Sequence, residues 1–181
     1  MTEQIIVAGF GGQGVLLAGQ ILAYAGMEEG KNVSWFPSYG PEMRGGTANC
    51  NVVISSDEVA SPVVVDADCA IVMNKASLMQ FEKNVKPGGY LIVNTDLVDI
   101  KPTRDDIKVI DIAANKIAES AGSIKAANMV ILGAYNACKN VVENKTIIKC
   151  LEKIMGERKK HLIPMNEKAI ELGKEAALAQ L

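Results

Sequence analysis

The stretch IIVAGFGGQGVLLAGQ, residues 5–20, decides the fold of this 181-residue chain. It opens with an unbroken apolar run, which is typical of a strand covered on both faces in a parallel sheet. Gly9, Gly11 and Gly14 follow the run, and the turn that they punctuate, residues 9–14, is called the glycine turn below. Apolar residues then recur at three- and four-residue steps, which predicts a helix. The stretch therefore predicts a strand, a tight turn and a helix in succession.

The rest of the chain continues this pattern. Strands are predicted at 4–9, 32–37, 47–54, 70–73, 90–93 and 107–110, and helices at 15–27, 77–84, 111–120, 128–140, 145–155 and 166–179. Because strands alternate with helices over most of the length, we expect a three-layer, Rossmann-like α/β fold. Its sheet is mainly parallel with helices on both faces, and the last helices cover one face. Without a linker or repeat, residues 1–181 are expected to form a single domain.

Charge and hydropathy exclude two classes of partner. The formal net charge is −2 and the isoelectric point is near 5.5, so the chain carries no electrostatic footprint for nucleic acid. The short basic run at 158–160 is expected to be a solvated surface. No apolar segment reaches the ~20 residues that a membrane span needs. With no signal peptide at its start, the chain is predicted to be cytoplasmic.

The metal-binding residue types are sparse and scattered. Cys50, Cys69, Cys138 and Cys150 form no C-x-x-C pair, whereas iron–sulfur and structural zinc sites bring their ligands together at short spacings. Buried thiols in a reducing compartment are therefore expected. His161 is the only histidine, which excludes a His-rich metal site, and its place beside the basic run predicts a surface position.

The glycine turn has three interpretations. It could hold a dinucleotide, it could be a purely structural turn, or it could face a subunit interface or an acyl or phosphate ligand. The start of the following helix is expected to direct free N–H groups, those of Gly12, Gln13 and Gly14, into a crevice. Such groups suit an anion.

A dinucleotide site also needs a carboxylate for the ribose, at the end of the second strand. Glu28 and Glu29 lie at about the expected distance from Gly9, but they precede the second strand. That strand runs into Ser38 and Tyr39 and offers no acid. The sequence context therefore argues against a dinucleotide.

A second unusual segment lies between two strands that are predicted to be buried. Ordinary connections there are two to six residues long. This one is Ser38-Tyr39-Gly40-Pro41-Glu42-Met43-Arg44-Gly45-Gly46, preceded by an aromatic pair, Trp35-Phe36. Its glutamate and arginine, two residues apart, suit an extended loop, and its glycine pair would allow the backbone to pass closely against a neighbour. An elaborate surface loop with a weak ion pair remains the alternative.

The combination of GFGGQGV and SYGPEMRGGTANCNVVIS resembles the gamma subunit of 2-oxoacid:ferredoxin oxidoreductases, which is also the gamma domain of one-chain pyruvate:ferredoxin oxidoreductases. Segments at 72–81, 87–94 and 127–134 are similar too, so the resemblance covers residues 4 to about 140. The polar sequence at 43–48 favours the 2-oxoglutarate or branched-chain enzymes over the pyruvate enzyme.

The resemblance implies a complex that oxidatively decarboxylates a 2-oxoacid to an acyl-CoA and passes the electrons to ferredoxin. Thiamine diphosphate and Mg are expected in alpha and beta subunits, and [4Fe-4S] clusters in a ferredoxin-like subunit. This chain is expected to bind no cofactor, to hold no catalytic or metal-binding residue and to be inactive alone. Coenzyme A is the co-substrate of the complex.

The chain is therefore predicted to be a companion subunit that docks on the alpha and beta subunits and shapes the region where substrate or coenzyme A arrives. The residues expected at the ligand or interface site are Gly9, Gly11, Gly12, Gln13, Gly14, Ser38, Tyr39, Gly40, Pro41, Glu42, Arg44, Gly45 and Gly46. In isolation the chain is expected to be able to self-associate through exposed apolar surface. A stand-alone dinucleotide- or coenzyme-A-binding protein remains the alternative.

Overall fold

The computed structural model describes residues 1–40 and 46–181, and a six-stranded sheet organises them. The strands are β1 (Thr2–Phe10), β2 (Asn32–Tyr39), β3 (Thr47–Ser55), β4 (Ala67–Val72), β5 (Val85–Asn94) and β6 (Lys108–Ile112). Their order across the sheet is β2-β3-β1-β4-β5-β6. β1, β4, β5 and β6 run parallel to one another, whereas β3 runs antiparallel to β1 and β2. The predicted, mainly parallel α/β sheet is confirmed.

Helices cover both faces of the sheet, but unequally. They are α1 (Val15–Glu28), α2 (Lys75–Phe81), α3 (Ala114–Ala121), α4 (Ala127–Lys139), α5 (Asn144–Met155) and α6 (Ile163–Leu178). Because successive strand residues point to opposite faces, Ile5 and Val7 of β1 pack under α1 and α3–α6, while Ile6 and Ala8 pack under α2 and the loops. None of the helices in the described ranges is long and apolar enough to cross a membrane.

Between β2 and β4 the sequence predicts three successive strands, and there the sheet departs from a purely parallel arrangement. β2 and β3 form an antiparallel hairpin, and β4 follows β3 without an intervening helix. β2 was also expected to be buried, but it lies at the edge of the sheet, and Phe36 and Tyr39 are exposed. Its apolar residues suggested burial because sequence alone does not reveal which strand lacks an outer neighbour.

The strand predicted at 90–93 begins earlier, because β5 starts at Val85 and the Pro-Gly-Gly segment at 87–89 lies inside it. The pairing of β5 with β4 shifts register between Val85 and Tyr90, so a bulge accommodates the segment. Gly88 has a φ of 76°, and its N–H donates to the Asp106 carbonyl at 2.7 Å. The glycine therefore makes the bulge rather than ending the element.

Two helices on the more heavily covered face approach very closely. A Cβ on Gly133 of α4 would lie 1.9 Å from the Ile170 carbonyl oxygen, and one on Gly173 of α6 would lie 1.9 Å from the Val130 carbonyl oxygen. Glycine is thus required on both sides of this crossing. The crossing fixes the position of α4, whose first turn carries Asn128 beside the glycine turn.

Candidate functional site

The glycine turn connects the carboxyl end of β1 to the start of α1. Gly12 and Gly14 have φ values of 96° and 74°, a left-handed conformation that favours glycine. Gly9 must be glycine because its surroundings leave no room for a side chain. A Cβ there would lie 2.9 Å from the Cβ of Met73 and 2.5 Å from Gln13 Oε1. These three glycines are therefore required by the backbone, whichever ligand or partner the turn meets.

The Gln13 side chain braces the turn from inside. Its Oε1 accepts from the Phe10 N–H at 2.6 Å and from Asn74 Nδ2 at 3.3 Å, and its Nε2 donates to the Met73 carbonyl at 3.3 Å. Asn74 in turn caps α2, because its Oδ1 accepts from the Ser77 N–H at 2.8 Å. The turn is thus tied to the end of β4, and it is held in shape before any ligand arrives.

Asn128 holds the other side of the turn. Its Nδ2 donates to the Gly14 carbonyl at 3.2 Å, and a Cβ on Gly14 would lie 2.3 Å from that nitrogen. The sequence analysis did not predict that Asn74 and Asn128 support the turn. They were included only in the segments that carry the family resemblance. The available signal was their polarity, since Asn74 directly follows a buried strand and Asn128 begins an apolar run.

The turn presents two of the three predicted free N–H groups. The expectation is wrong for Gln13, whose N–H donates to the Phe10 carbonyl at 3.1 Å because the turn closes on itself. The Gly11 N–H donates to the Gly46 carbonyl at 2.8 Å. Within the described ranges, the N–H groups of Gly12 and Gly14 have no acceptor. Together with the start of α1, they make a partly positive end that suits an anionic group.

A cavity of about 500 Å³ opens beside these N–H groups. The turn, the first residues of α1 and the start of β3 line it. Its apolar wall includes the side chains of Phe10, Leu16, Leu17 and Tyr39. The Tyr39 side chain is 60% exposed, so it stands at the open edge. An apolar cavity with donors at one end suits a ligand that has both an apolar and an anionic part.

Both ends of the predicted contact loop reach this cavity. Ser38 and Tyr39 end β2, and the Gly40 N–H donates to the Thr47 carbonyl at 3.3 Å. Gly46 is bonded to the glycine turn, as described above. Pro41, Glu42, Met43, Arg44 and Gly45 lie outside the described residues, so the predicted charge pair stays a prediction. The structure thus brings together the glycine turn and the two ends of the loop.

The strand directions oppose a dinucleotide site. The neighbour of β1 on the side of this cavity is β3, which runs antiparallel, so its carboxyl end lies at the opposite edge of the sheet. Glu28 and Glu29 lie at the far end of α1. Lys149 and Lys153 lower the pKa of Glu28 to about 2, and Glu29 pairs with Lys31 at 2.8 Å. Both carboxylates are therefore engaged away from the turn.

The thiols do not form a donor set for a metal centre. Cys50, Cys69 and Cys150 are buried and Cys138 is half-buried, and burial raises the pKa of Cys50 to about 12. Among the residues that the structure describes, no three His, Cys, Asp or Glu side chains are grouped to hold a metal ion. His161 is exposed, as predicted. The residues of the described ranges therefore do not fit an iron–sulfur cluster or a divalent metal.

Comparison with known proteins gives a consistent answer. The sequence pattern of the family described as pyruvate ferredoxin/flavodoxin oxidoreductase matches residues 4–176. The chain is 36% identical to the ketoisovalerate oxidoreductase subunit VorA of Methanothermobacter marburgensis, over 98% of this chain and 37% of that one. It thus spans little more than a third of that curated relative.

Two solved structures are similar to the whole chain. The gamma subunit of a keto/oxoacid ferredoxin oxidoreductase from Geobacter sulfurreducens superposes with a TM-score of 0.82 at 31% identity, covering 98% of this chain and 99% of that one. The 2-oxoglutarate:ferredoxin oxidoreductase of Magnetococcus marinus, solved with 2-oxoglutarate, coenzyme A and succinyl-CoA bound, gives a TM-score of 0.90 at 27% identity. That match covers 99% of this chain and 32% of the other.

Proposed function

Because this chain belongs to the pyruvate ferredoxin/flavodoxin oxidoreductase family, we propose that it is the gamma-type subunit of a 2-oxoacid:ferredoxin oxidoreductase. The complex would oxidatively decarboxylate a 2-oxoacid to an acyl-CoA. This chain would act as one domain and as a companion to the catalytic subunits. Ketoisovalerate and 2-oxoglutarate, the substrates in the names of these relatives, agree with the sequence-based preference for a branched-chain acid or 2-oxoglutarate.

The observation that carries the proposal is the joining of the glycine turn to both ends of the 38–46 loop around one cavity. A purely structural turn needs neither an open apolar cavity nor N–H groups without an acceptor beside it. The bond from Gly11 to Gly46 makes the turn and the loop a single surface. We assign this surface to contact with alpha and beta subunits and with arriving coenzyme A.

Coenzyme A has the chemistry that this cavity suits. Its pantetheine arm can lie along the apolar wall formed by Phe10, Leu16 and Leu17. Its phosphates are anions, which the N–H groups of Gly12 and Gly14 can bind. On this view the chain binds and orients one part of the co-substrate and excludes water around it, while partner subunits perform the chemistry.

The redox groups belong to partner subunits in this proposal. Thiamine diphosphate with Mg would lie in alpha and beta subunits, and [4Fe-4S] clusters in a ferredoxin-like subunit. The buried and dispersed thiols of this chain do not fit a cluster, so no electron-transfer step is assigned to them. A cytoplasmic location remains part of the proposal.

Purification of the tagged full chain from its native cells tests the assignment. We expect a complex that contains thiamine diphosphate and iron–sulfur clusters and that reduces ferredoxin when a 2-oxoacid and coenzyme A are added. Pyruvate, 2-oxoisovalerate and 2-oxoglutarate are compared to identify the substrate. A chain recovered without such partners, or a chain that alone binds NADH or FAD at micromolar concentration, would support the stand-alone alternative instead.

Two arginine variants distinguish a specific contact of the loop with partner subunits from a general effect of removing a surface charge. Arg44→Ala removes the predicted charged contact of the loop, and we expect about tenfold lower recovery of the partner subunits, because a charge-assisted contact contributes roughly 1.5–3 kcal/mol. Arg158→Ala removes an exposed arginine far along the chain and should leave recovery unchanged. Normal assembly and turnover of the Arg44→Ala complex would remove the loop from the proposal.

A further inference from the structure

The face of α1 around Tyr24 and Met27 and the free edge of β2 before Pro37 form a surface of low charge that the proposed function does not use. Glu28, the last residue of α1, is the only charged residue of that helix, and β2, with the sequence NVSWFPSY, has none. Tyr24 and Met27 of α1 are 45% and 56% exposed. Cavities of about 440 and 270 Å³ lie on the two sides of Tyr24. This region is called the β2 surface below.

The free edge of β2 can be read from the strand pairing. Cys50 of β3 faces Pro37, which has no N–H to donate, so this pair cannot exchange hydrogen bonds. Bonded and non-bonded pairs alternate along an antiparallel ladder, and Gly40, three residues further on, donates to β3. The odd-numbered residues of β2 therefore direct their N–H and C=O groups away from β3. In the described part of the chain, no other strand pairs with them.

This edge lacks the devices that normally protect a sheet. Natural edge strands carry charged residues, or are very short, or are covered by a loop. β2 is eight residues long, is free of charge and exposes Trp35 and Phe36. Its one protective residue is Pro37, near its end. A surface of this kind is expected to be covered in the working protein.

We propose that a second copy of this chain covers the β2 surface, through antiparallel pairing of the two β2 strands about a two-fold axis at Ser34. In this register Val33 of one copy exchanges two hydrogen bonds with Trp35 of the other, and the symmetry repeats the exchange. No bond is required from Pro37. Lys31 is not needed as a donor either, since its N–H already donates to the Gly26 carbonyl at 3.0 Å.

Other registers use the edge less well. Centring the pair on Trp35 or Phe36 places Pro37 in a bonded position, where its missing N–H leaves a carbonyl without a donor. Centring it on Asn32 requires the Lys31 N–H that Gly26 already engages. A two-fold axis at Ser34 is thus the one that pairs both free backbone amides between Lys31 and Pro37, those of Val33 and Trp35.

The side chains and charges also favour a second copy. Val33 and Trp35 lie on the α1 side of the sheet, against Gly26 and Gly19 respectively. Neighbouring strands are about 4.8 Å apart, so the two α1 helices would lie roughly 10–14 Å apart, with Tyr24 and Met27 of both copies between them. Glu28 is the one charged residue of α1 and β2, and it is already paired with Lys149 and Lys153 of its own copy, so the pairing brings no uncompensated like charges together. The paired surfaces are self-complementary.

Disulfide trapping tests the register in the full chain. Ser34 would form a non-bonded pair with its own copy, with Cα atoms about 4.5 Å apart, a distance that a disulfide can span. We therefore expect Ser34→Cys to give a covalent dimer on mild oxidation, above the background from the four native cysteines of the unmodified chain. Phe36→Cys is the matched control on the same face. Its two copies would lie about 14 Å apart and should not crosslink.

Sedimentation and hydrogen exchange test the surface independently. We expect the unmodified chain to sediment with twice its 19.3 kDa mass at micromolar concentration. Tyr24→Lys with Met27→Lys should weaken the dimer at least ~10-fold, and Met79→Lys, an exposed methionine on α2, should not. The amides of Val33 and Trp35 should exchange at least ~10-fold more slowly in the dimer than in the monomer.

Three results would overturn the proposal. One is a chain that stays monomeric at ~100 µM, well above an ordinary dimer dissociation constant. Another is a dimer that the paired lysine substitutions leave intact or that traps equally well through Phe36→Cys. The third is protection of the Val33 and Trp35 amides that arises only when thiamine-dependent partner subunits are added, which would assign the β2 surface to those subunits.

Discussion

Lys139 Nζ lies 3.2 Å from Glu3 Oε2, where α4 passes over the amino end of β1. Glu3 is a buried carboxylate, and within the described ranges neither its Oε1 nor the buried Tyr135 hydroxyl has a hydrogen-bond partner. Burial raises the pKa of Glu3 above its ordinary value of 4.5, and this effect exceeds the opposing attraction of Lys139. Ionised Glu3 is therefore incompletely compensated in the folded chain.

The first prediction concerns pH. In the folded chain Glu3 retains its proton to higher pH than it does in the unfolded chain, so its contribution to stability decreases as pH rises from about 4.5 through its folded pKa. Glu3→Gln removes this dependence. Urea unfolding between pH 4 and pH 8 should therefore show the free energy of unfolding of the unmodified chain falling relative to that of the variant.

Exposed carboxylates provide the control for this experiment. Glu171→Gln removes a carboxylate that pairs with Lys174 at the surface, 2.8 Å away. Exposed ion pairs contribute about 0–1 kcal/mol to stability. The free energy of unfolding of this variant should therefore change with pH in the same way as that of the unmodified chain. If the unmodified chain instead gains stability over Glu3→Gln as pH rises, then the ion pair with Lys139 outweighs the burial of the carboxylate.

The second prediction concerns the crossing of α4 and α6. Gly133→Ala would place a methyl group against the Ile170 carbonyl, so the helices must separate. We expect the free energy of unfolding to fall by about 3 kcal/mol, even though alanine favours a helix over glycine by about 1 kcal/mol. Chemical denaturation measures this. Gly40→Ala, where the described residues leave open space, should change stability by less than about 0.5 kcal/mol, and an equal loss at both positions would refute the packing argument.

The central part of this fold was predictable because its signals are local. The apolar runs of β1 and β4 and the three- and four-residue steps of α1 each depend on a short stretch of sequence. The antiparallel placement of β3 and the edge position of β2 depend instead on which strands become neighbours, and no local pattern carries that information. The bulge in β5 was missed for a related reason, since Pro-Gly-Gly is an ordinary signal of an element's end.

The candidate site divides in the same way. The glycine turn could be predicted because left-handed φ values and close contacts demand glycine. Gln13 was expected to offer its N–H, but the turn uses that group internally, and the side chain proves to be the brace. The supports Asn74 and Asn128 are more than 50 residues from one another and from the end of the turn, so only the fold brings them together.

The third prediction concerns the thiols. Burial raises the pKa of Cys138, the least buried of the four, to about 11, and that of Cys50 to about 12. The thiolate is the reactive form, so at pH 8 the native chain should react with a disulfide reagent at least ~100-fold more slowly than free cysteine does. Absorbance of the released thiol measures the rate, and denaturation should release all four thiols. One rapidly reacting equivalent in the native chain would show an activated cysteine.

The fourth prediction tests the contact with coenzyme A in the purified complex. Asn128→Ala removes the donor to the Gly14 carbonyl, so the turn loses one of its supports. A hydrogen bond of about 1 kcal/mol corresponds to a roughly fivefold change, so we expect the KM for coenzyme A to rise about 5–10-fold. The kcat and the assembly of the complex should change little, because the turn is not assigned to the reacting atoms. Steady-state kinetics at varied coenzyme A concentration measures both constants.

Asn166→Ala is the matched control, because this residue is as buried as Asn128, 6% exposed, and also donates to a single backbone carbonyl, that of Leu162 at 2.8 Å. It lies in α6 and lines one cavity together with Asn128, but its side chain makes no hydrogen bond to the glycine turn. Both variants should lose similar stability, and only Asn128→Ala should raise the KM. An equal rise in both would indicate a general loss of structure, whereas an unchanged KM in Asn128→Ala would mean that coenzyme A does not bind at the glycine turn.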